Sequence, residues 1–284
     1  MPAPLKTQQI DSALRTAVAA ARGAGTLMQR ELRRPKKVHE ITQHDIKLEL
    51  DVRCQRLIER ALLAGLPGAA ILGEEGVLGD PGHDLRWVVD PIDGTVNFAY
   101  GIPHACVSIA LQRRGGDPKA ATDRTGSGAC YEDGYETVAG VVLDPFTNDL
   151  WTATAHGPAR LNGRVIRTSA RARLNESIVA LGFAKKRRTL DLMLPVFQSL
   201  VHRVRKIRIM GAAALSMTYV ACARFDAYVE SGVRLWDIAA GGLIVQRAGG
   251  VFCRREVARD RTYEILVCGT ALQRPLQRLV KASR

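Results

Sequence analysis

The 284-residue sequence lacks a hydrophobic segment long enough to cross a membrane. Two stretches without Asp, Glu, Lys or Arg stand out, at 94–112 and 209–223. The first is interrupted by Asn97, Pro103 and His104, and the second is shorter than the ~18 apolar residues that a helical span requires. The first residues show no signal-peptide pattern and lead into a polar helical pattern. We therefore expect a cytoplasmic protein that makes no use of a membrane.

Cysteine is scarce. The six cysteines form no Cys-x-x-Cys pair and no Cys/His cluster with the spacing of zinc ligands, and most lie in apolar runs. They are Cys54, Cys106, Cys130, Cys222, Cys253 and Cys268. We interpret them as buried thiols of a protein in a reducing cytosol.

Acidic residues are outnumbered, since 28 Asp and Glu stand against 41 Lys and Arg and the net charge is +13. A basic protein of this kind can bind nucleic acid, a membrane surface or an acidic small molecule. Aromatic residues are only 5% of the chain, which leaves few platforms for stacked bases and argues against nucleic acid. The 46% of hydrophobic residues excludes wholesale disorder and, with the length, predicts one large domain or two interlocked ones.

The first half of the chain predicts two helices followed by short strands. Apolar positions recur at helical spacing from Ile10, so the first ~25 residues are expected to be helical, and Asp45 is placed to cap a second helix. Strand-like runs follow at 70–72, 87–89, 105–111, 138–143 and 150–153. Hairpin turns are predicted at 144–148 and 162–163, and the polar, glycine-rich segment 113–134 is interpreted as a surface insertion.

The second half alternates strands with helices. Strands are predicted at 178–181, 206–209, 227–230, 251–253 and 265–267. Helices are predicted at 190–201, 212–221 and 238–247. This alternation is typical of a layered α/β architecture. Because there is no repeat and no low-complexity linker, we expect residues 1–284 to form a single unit whose halves, 1–175 and 176–284, share a core.

Three short segments place acidic residues where a fold does not require them. Glu74 and Glu75 stand between two glycines, directly after an apolar strand-like run. Asp90 and Asp93 follow a second such run, within the sequence Trp-Val-Val-Asp-Pro-Ile-Asp-Gly-Thr. Asp237 stands at a predicted helix start, among apolar and small residues.

The second of these segments combines a stiff turn with an anion site. Asp90 is held extended by the following Pro91, whose own φ is fixed. Beyond Asp93, the backbone N–H groups of Gly94 and Thr95 lack helical partners and can bind an anion. Carboxylates beside an anion site repel each other unless a cation lies between them. Mg²⁺ fits, because it prefers oxygen ligands, and two such ions ~3.5–4 Å apart can clamp a phosphoryl displacement.

These motifs resemble the signatures of the inositol monophosphatase family, a group of magnesium-dependent, lithium-sensitive phosphatases related to fructose-1,6-bisphosphatase. The residues that carry the resemblance are Glu74-Glu75, Asp90-Pro-Ile-Asp-Gly-Thr95 with Asn97-Phe98, and Trp236-Asp237-Ile-Ala-Ala-Gly. The motifs stand in the family's order, and the resemblance covers roughly residues 5–280. It implies an α-β-α-β-α layered sandwich and a homodimer.

The resemblance implies that five residues hold two Mg²⁺ ions. Glu74, Asp90 and the backbone carbonyl of Ile92 resemble the ligands of the first ion. Asp90, Asp93 and Asp237 resemble the ligands of the second. The resemblance also implies a catalytic role for Glu74.

Further roles implied by the resemblance concern water, phosphate and substrate. Gly94 and Thr95 resemble the family's phosphate cradle. Thr95 together with Asp51 would position and activate the attacking water. Ala213 and Glu230 fall where the family contacts the hydroxyls of a sugar or polyol.

The sequence departs from the family pattern at two places. Lys47 and Glu49 change the charge of the segment before Asp51, so the number of Mg²⁺ ions stays open between two and three. Ala212 stands where relatives often have Ser or Thr, and relatives specialised for histidinol phosphate tend to carry Asp there, which argues mildly against that substrate. Glu75 is expected to lie behind the metal ligands.

Several of these residues, taken alone, have simpler interpretations. Asp51 lies in a charge-rich helix and could face solvent. Thr95 and Asp237 could be helix caps only. Glu230 could simply pair with Arg234.

The sequence thus predicts a Mg²⁺-dependent phosphomonoesterase that hydrolyses inositol monophosphate or a related small sugar or polyol phosphate, by in-line attack of metal-activated water. The same chemistry on fructose 1,6-bisphosphate, a 3′-phosphoadenosine nucleotide, NADP or histidinol phosphate stays open. A polyanion or nucleic-acid binder is the alternative from another class, supported by the basic runs 185–188 and 202–208. On the first hypothesis, the excess positive charge steers phosphate esters toward an acidic, metal-binding site.

Overall fold

The structure is a computed structural model of the chain. It describes residues 5–41, 46–80, 82–115, 130–183, 187–258 and 260–283. Within these ranges, no helix is both long enough and apolar enough to cross a membrane.

The N-terminal part forms two packed helices, α1 (Thr7–Glu31) and α2 (Glu49–Gly65), joined through a two-stranded antiparallel sheet of β1 (Val38–Ile41) and β2 (Ile46–Leu48). The predicted first helix is confirmed. Asp45 lies outside the described residues, and the prediction that the second helix starts there is wrong, because the next three residues form β2.

Eight strands form the first sheet. They are β3 (Ala70–Gly73), β4 (Gly76–Leu78), β5 (Leu85–Asp93), β6 (Cys106–Arg114), β7 (Tyr135–Asp144), β8 (Asp149–Thr154), β9 (Arg160–Leu161) and β10 (Arg164–Val165). Their order is β10-β9-β8-β7-β6-β5-β3-β4, and all neighbours are antiparallel except β3 and β5. Both predicted hairpins are confirmed, at the β7–β8 and β9–β10 turns. A one-turn helix, α3 (Thr95–Ala99), follows β5.

The described residues after β10 form a second sheet and four α-helices. The elements are β11 (Ile178–Phe183), α4 (Arg187–Val201), β12 (Lys206–Arg208), α5 (Ala213–Ala221), β13 (Ala227–Arg234), α6 (Leu235–Arg247), β14 (Gly250–Ala258), β15 (Thr262–Gly269) and α7 (Gln273–Ala282). The strand order is β12-β11-β13-β15-β14. The first three strands are parallel, and β15 and β14 are antiparallel to their neighbours. The predicted alternation of strands and helices is confirmed.

The two sheets and their helices build five layers. α1 and α2 bury their apolar faces against one side of the first sheet. α5 and α6 lie between the two sheets and share one apolar core with both. α4 and α7 cover the outer side of the second sheet. The expected α-β-α-β-α sandwich is confirmed.

The segment 113–134 differs in part from the predicted surface insertion. Its first residues extend β6 to Arg114, and residues 116–129 lie outside the described part of the chain. Cys130 and Tyr131 are buried rather than at the surface. The backbone of Cys130 forms an isolated antiparallel β-bridge with that of Glu136, and the Tyr131 ring packs in the core between the sheets.

Candidate active site

The first two acidic segments meet because β3 and β5 are parallel neighbours. Gly73 is paired with Val89, and the N–H of Glu74 donates to the Val89 carbonyl at 3.0 Å. Glu74 therefore leaves the sheet beside Asp90, and repulsion from its charge contributes to raising the pKa of Asp90. Adjacent strand ends have brought together two acids that stand 16 positions apart in the sequence.

Asp90 and Asp93 lie within the end of β5, which corrects the expectation that the strand stops before them. The pairing of β5 with β6 is irregular between these two residues, because Pro91 has no N–H to give to a neighbouring strand. The Ile92 N–H donates to Asp90 Oδ1 at 3.0 Å instead. The irregularity leaves both carboxylates at the sheet end with little exposure to solvent, 2% for Asp90 and 8% for Asp93.

The N-terminus of α5 holds Asp93. The N–H groups of Ala213 and Ala214 donate to its two carboxylate oxygens at 3.1 and 2.7 Å, and the Cys106 thiol lies 3.5 Å from one of them. N–H groups at a helix start have no partner within the helix and favour a negative charge. The predicted contact residue Ala213 thus lies at the site, and its N–H is engaged by Asp93.

The third acidic segment reaches the same place from α6. Asp237 is the third residue of this helix, and its Oδ2 accepts the N–H of Arg234 at 2.7 Å. The Ser108 hydroxyl donates to the Trp236 carbonyl at 3.1 Å and joins the first turn of α6 to β6. Asp237 therefore stabilises the first turn of α6 from its third position, whereas the N-cap residue is Arg234. It is also a neighbour of the other acids, because repulsion from it raises the pKa of both Glu74 and Asp90.

Asp51 is the third residue of α2, as Asp237 is of α6. Its Oδ2 accepts the Leu48 N–H at 2.7 Å, and its side chain is 2% exposed, so the interpretation as a solvent-facing residue is wrong. The Thr95 hydroxyl lies 2.9 Å from the Ile92 carbonyl oxygen and 3.5 Å from Asp51 Oδ1. The sequence-predicted pair of Thr95 and Asp51 is thus in contact, beside a predicted metal-ligating carbonyl.

Gly94 makes the turn between β5 and α3. Its φ is 91°, in the region that favours glycine, and a Cβ there would lie 2.9 Å from the His104 carbonyl oxygen and 3.2 Å from the Ala212 Cβ. No side chain fits this position without moving backbone. The turn sets the position of Asp93 relative to Thr95.

The backbone of Glu75 is held by a residue that the sequence did not reveal, and the expected place of its side chain behind the metal ligands stays a prediction. The Glu75 N–H donates to Gln55 Oε1 at 2.9 Å, while Gln55 Nε2 donates to Glu59 Oε1 at 2.9 Å and to the Gly76 carbonyl at 3.3 Å. Gln55 is 4% exposed. In the sequence, the only sign of this role was that Gln55 is a polar residue on the apolar face of the predicted helix.

Asn97 is a second residue whose role the sequence did not reveal, because it joins two segments of the site. Its Nδ2 donates to the His104 carbonyl at 2.9 Å and to the Met210 carbonyl at 2.8 Å. It thereby fastens α3 to the segment that leads into α5, the helix that holds Asp93. Its place two residues after the Asp-Gly-Thr motif, which ends at Thr95, was the only signal in the sequence.

Glu230, the predicted substrate contact, projects from β13 close to the acids. Its carboxylate accepts a hydrogen bond from the Tyr228 hydroxyl, and the charge of Asp93 contributes to raising its pKa. Arg234 pairs instead with Asp260, at 2.6 Å between Nη1 and Oδ2. The simpler interpretation of Glu230 as the partner of Arg234 is therefore wrong.

The electrostatics of the group are dominated by burial and mutual repulsion. Removal from water is the largest cause in every case, and it raises the pKa of Asp51 to about 7, of Glu74 to about 8 and of Asp93 to about 6. The pKa values of Asp90 and Asp237 are also raised, by burial and then by their acidic neighbours. Such a group of acids is stable as carboxylates only with a compensating cation.

The donor set fits Mg²⁺, which takes carboxylate, carbonyl and water oxygens. Within the described residues, no three His, Cys, Asp or Glu side chains already stand as a metal site. The side chains are instead turned toward protein donors, namely the N–H groups of Ala213, Ala214 and Arg234. The chemistry and the repulsion favour a cation, and its binding requires these carboxylates to turn.

Of the two basic runs, Lys185 and Lys186 are outside the described residues, whereas Arg203, Arg205 and Arg208 are exposed. On α2, Arg53, Arg56 and Arg60 are exposed and line, with Leu27, Leu57 and Ala61, an open groove of about 650 Å³.

The sequence matches a known family over nearly its whole length. A family model described as "Inositol monophosphatase family" matches residues 9–121 and 129–282.

Individual relatives agree with this match. The chain is 38% identical to "Nus factor SuhB" of Xylella fastidiosa over 83% of this chain and 79% of that protein. It is 36% identical to "Inositol-1-monophosphatase" of Rhizobium meliloti over 72% of this chain and 71% of that protein. Among solved structures, the Thermotoga maritima IMPase superimposes with a TM-score of 0.78 at 29% identity, over 95% of this chain and 97% of that one.

Proposed function

Because the chain belongs to the inositol monophosphatase family and is a phosphoric monoester hydrolase, we propose that it hydrolyses inositol monophosphate or a related small sugar or polyol phosphate, with Mg²⁺ as its cofactor. The observation that carries the proposal is the convergence of Glu74, Asp90, Asp93 and Asp237 at the ends of β3 and β5 and the start of α6. These acids repel one another and are largely withdrawn from water.

The proposed ligands divide between two ions. Glu74, Asp90 and the carbonyl of Ile92 would hold the first, and Asp90, Asp93 and Asp237 the second. The Ile92 carbonyl accepts the Thr95 hydroxyl and keeps a second lone pair for a cation. When bound, Mg²⁺ supplies Lewis acidity toward the phosphoryl oxygens.

Thr95 and Asp51 are proposed to position the attacking water. The single Thr95 proton is directed at the nearer acceptor, the Ile92 carbonyl, which leaves the hydroxyl oxygen able to accept a hydrogen bond. The Asp51 carboxylate beside it, with a pKa of about 7, is suited to take a proton near neutral pH. The N–H groups of Gly94 and Thr95 are proposed to bind the phosphate.

Glu230 and the N-terminal turn of α5 are proposed to face the alcohol part of the substrate. Glu230 is close enough to Asp93 for the Asp93 charge to raise its pKa, and it is half-buried, so it can accept hydrogen bonds from hydroxyl groups without being fully hydrated. A polyol offers several such hydroxyls, whereas an aryl phosphate offers none. This difference supports the choice of a polyol or sugar ester.

The test is phosphate release from a panel of esters, with Mg²⁺ or with EDTA, and with or without lithium. The panel contains inositol 1-phosphate, fructose 1,6-bisphosphate, a 3′-phosphoadenosine nucleotide, NADP and histidinol phosphate. We expect Mg²⁺-dependent, lithium-inhibited release that is fastest from inositol 1-phosphate or a similar polyol ester. Release that EDTA leaves unchanged would contradict the metal dependence, and preference for another ester would correct the substrate.

A second candidate function is a transcription-related role, which the name of the Xylella relative, "Nus factor SuhB", suggests. The observation in its favour is the row of exposed Arg53, Arg56 and Arg60 on α2, which could bind a polyanion such as RNA. It is tested by anisotropy of a labelled RNA between roughly 50 and 200 mM salt. Binding that weakens with salt and with R56Q/R60Q would support it, and the absence of salt-dependent binding would refute it.

Two expectations accompany the main proposal. The homodimer implied by the family resemblance stays a prediction, to be measured by light scattering. We also propose that the protein works in the cytoplasm, which is supported by its six cysteines, since the structure pairs none of them in a disulfide bond.

A further inference from the structure

Glu230 is held by a neighbour on its own strand. Tyr228 and Glu230 are two residues apart on β13, so their side chains leave the same face of the sheet. The Tyr228 hydroxyl donates to Glu230 Oε2. Tyr228 is 1% exposed, and its ring is packed in the core between the two sheets. The phenol is therefore a fixed donor that approaches the carboxylate from the buried side.

The neighbouring strand β11 leaves room for this arrangement. Ala180 is paired with Tyr228 and Gly182 with Glu230. A Cβ on Gly182 would overlap with both carboxylate oxygens of Glu230. The carboxylate thus occupies the space that any side chain at position 182 would fill.

We propose that Tyr228 is a positioning residue for the hydrolysis of polyol phosphates, which together with the space at Gly182 holds the Glu230 carboxylate ready to accept substrate hydroxyls. The inference rests on the proposed function, because it assigns Glu230 to the alcohol part of the substrate. One carboxylate oxygen is engaged by the phenol, so the lone pairs of the other stay available in a fixed direction. A carboxylate already oriented loses less freedom on binding than a free one.

The test compares two esters in the same enzyme. The first is the best polyol phosphate of the panel above, and the second is p-nitrophenyl phosphate, which has no hydroxyls for Glu230 to accept. The quantity measured is the ratio of kcat/KM for the polyol ester to that for the aryl ester. In Y228F we expect this ratio to fall about tenfold, or ~1.4 kcal/mol, which is close to the lower end of the contribution of a hydrogen bond to a charged group.

The matched control is Y135F. Tyr135 is also buried and its hydroxyl donates to the His83 carbonyl at 2.6 Å, in the first sheet. Y135F loses the same atom from a buried hydrogen bond, so it is expected to leave the ratio unchanged. Melting temperatures of both variants show whether they fold.

Two more variants connect Tyr228 to Glu230. G182A should lower the ratio as Y228F does, since the added methyl group displaces the carboxylate. E230Q should lower it too, and Y228F added to E230Q should lower it little further, because the phenol acts through the carboxylate.

The outcomes separate this inference from the proposed function. A Y228F enzyme whose two kcat/KM values fall by one common factor would show a merely structural tyrosine and overturn the inference. Wild-type enzyme that hydrolyses the aryl ester as well as every polyol ester would also overturn it, and would leave the phosphatase standing. Wild-type enzyme inactive on all esters with Mg²⁺ would instead overturn the proposed function, and the inference with it.

Discussion

The turn at Gly94 gives the sharpest prediction about how the site is built. Replacing Gly94 with Ala places a residue with a side chain at φ 91°, which costs ~1–2 kcal/mol. The new Cβ would lie 2.9 Å from a backbone oxygen and 3.2 Å from the Ala212 Cβ, and relieving such overpacking typically costs ~1–3 kcal/mol more. The free energy of unfolding should fall by ~2–5 kcal/mol, and the melting temperature by roughly 5–15 °C.

Activity should fall as well, because Gly94 joins Asp93 to Thr95 and the backbone has to move there. The assays are thermal unfolding and Mg²⁺-dependent phosphate release. G101A is the matched control, since Gly101 also has a positive φ, 73°, but a Cβ there would meet nothing within 4 Å. In G101A the free energy of unfolding should fall by only ~1–2 kcal/mol, and the activity should be unchanged. Equal stability of G94A and G101A, or full activity of G94A, would refute the reasoning.

Two further predictions concern the tether and the acids. N97A removes the donor to the His104 and Met210 carbonyls. We expect the free energy of unfolding, measured in urea, to fall by ~2 kcal/mol, and the turnover to fall as well. If both values are unchanged, Asn97 does not fasten α3 to the segment before α5. In EDTA, the pKa of Asp51 is about 7 and that of Glu74 about 8 in the folded protein, above their usual values, so the unfolded chain loses these protons first. The contribution of both groups to folding stability is therefore present at acidic pH and is lost as the pH rises from about 4 to about 8. Urea unfolding of the EDTA-treated protein should show that fall and Mg²⁺ should reduce it, whereas stability that rises through the window would contradict the account.

The acidic residues of the site could be predicted because their signals are local. The Asp-Pro-Ile-Asp-Gly-Thr segment contains both its chemistry and its turn, and Trp-Asp at a helix start marks Asp237 in the same way. Asp51 needed the family resemblance, because a single acid in a charge-rich helix has no local mark. The structure then brought it to Thr95.

The residues that the sequence did not reveal act over long distances in the chain. Gln55 contacts Glu75 from another element, and the Nδ2 of Asn97 reaches a carbonyl 113 positions away. Tyr228 stands in an apolar strand, where an aromatic residue is usually explained by packing alone. In each case the partner is set by the packing of layers, which no periodicity of the sequence contains.

The predicted boundaries of helices and strands were wrong where a side chain or a proline altered the backbone hydrogen bonding. β5 continues through Pro91 to Asp93, because a residue without an N–H is tolerated at an irregularity of the ladder. α2 begins at Glu49, where the Asp51 carboxylate accepts the Leu48 N–H, and not at the earlier Asp45. In both cases the acid predicted for the site also shapes the local backbone.

Glu74, Asp90, Asp93 and Asp237 are proposed to bind divalent cations together. The most direct test is calorimetric titration of Mg²⁺ into EDTA-treated, dialysed protein, as wild type, D90N and D226N. Asp226 is a matched buried aspartate, 1% exposed, whose carboxylate is held by Arg171 and the Ile178 N–H.

We predict saturable Mg²⁺ binding by wild type and D226N, weakened by about tenfold or more in D90N, since even residues that only support a metal ligand change affinity to that extent. Equal Mg²⁺ affinity of D90N and wild type, or no binding by any of the three, would contradict the claim.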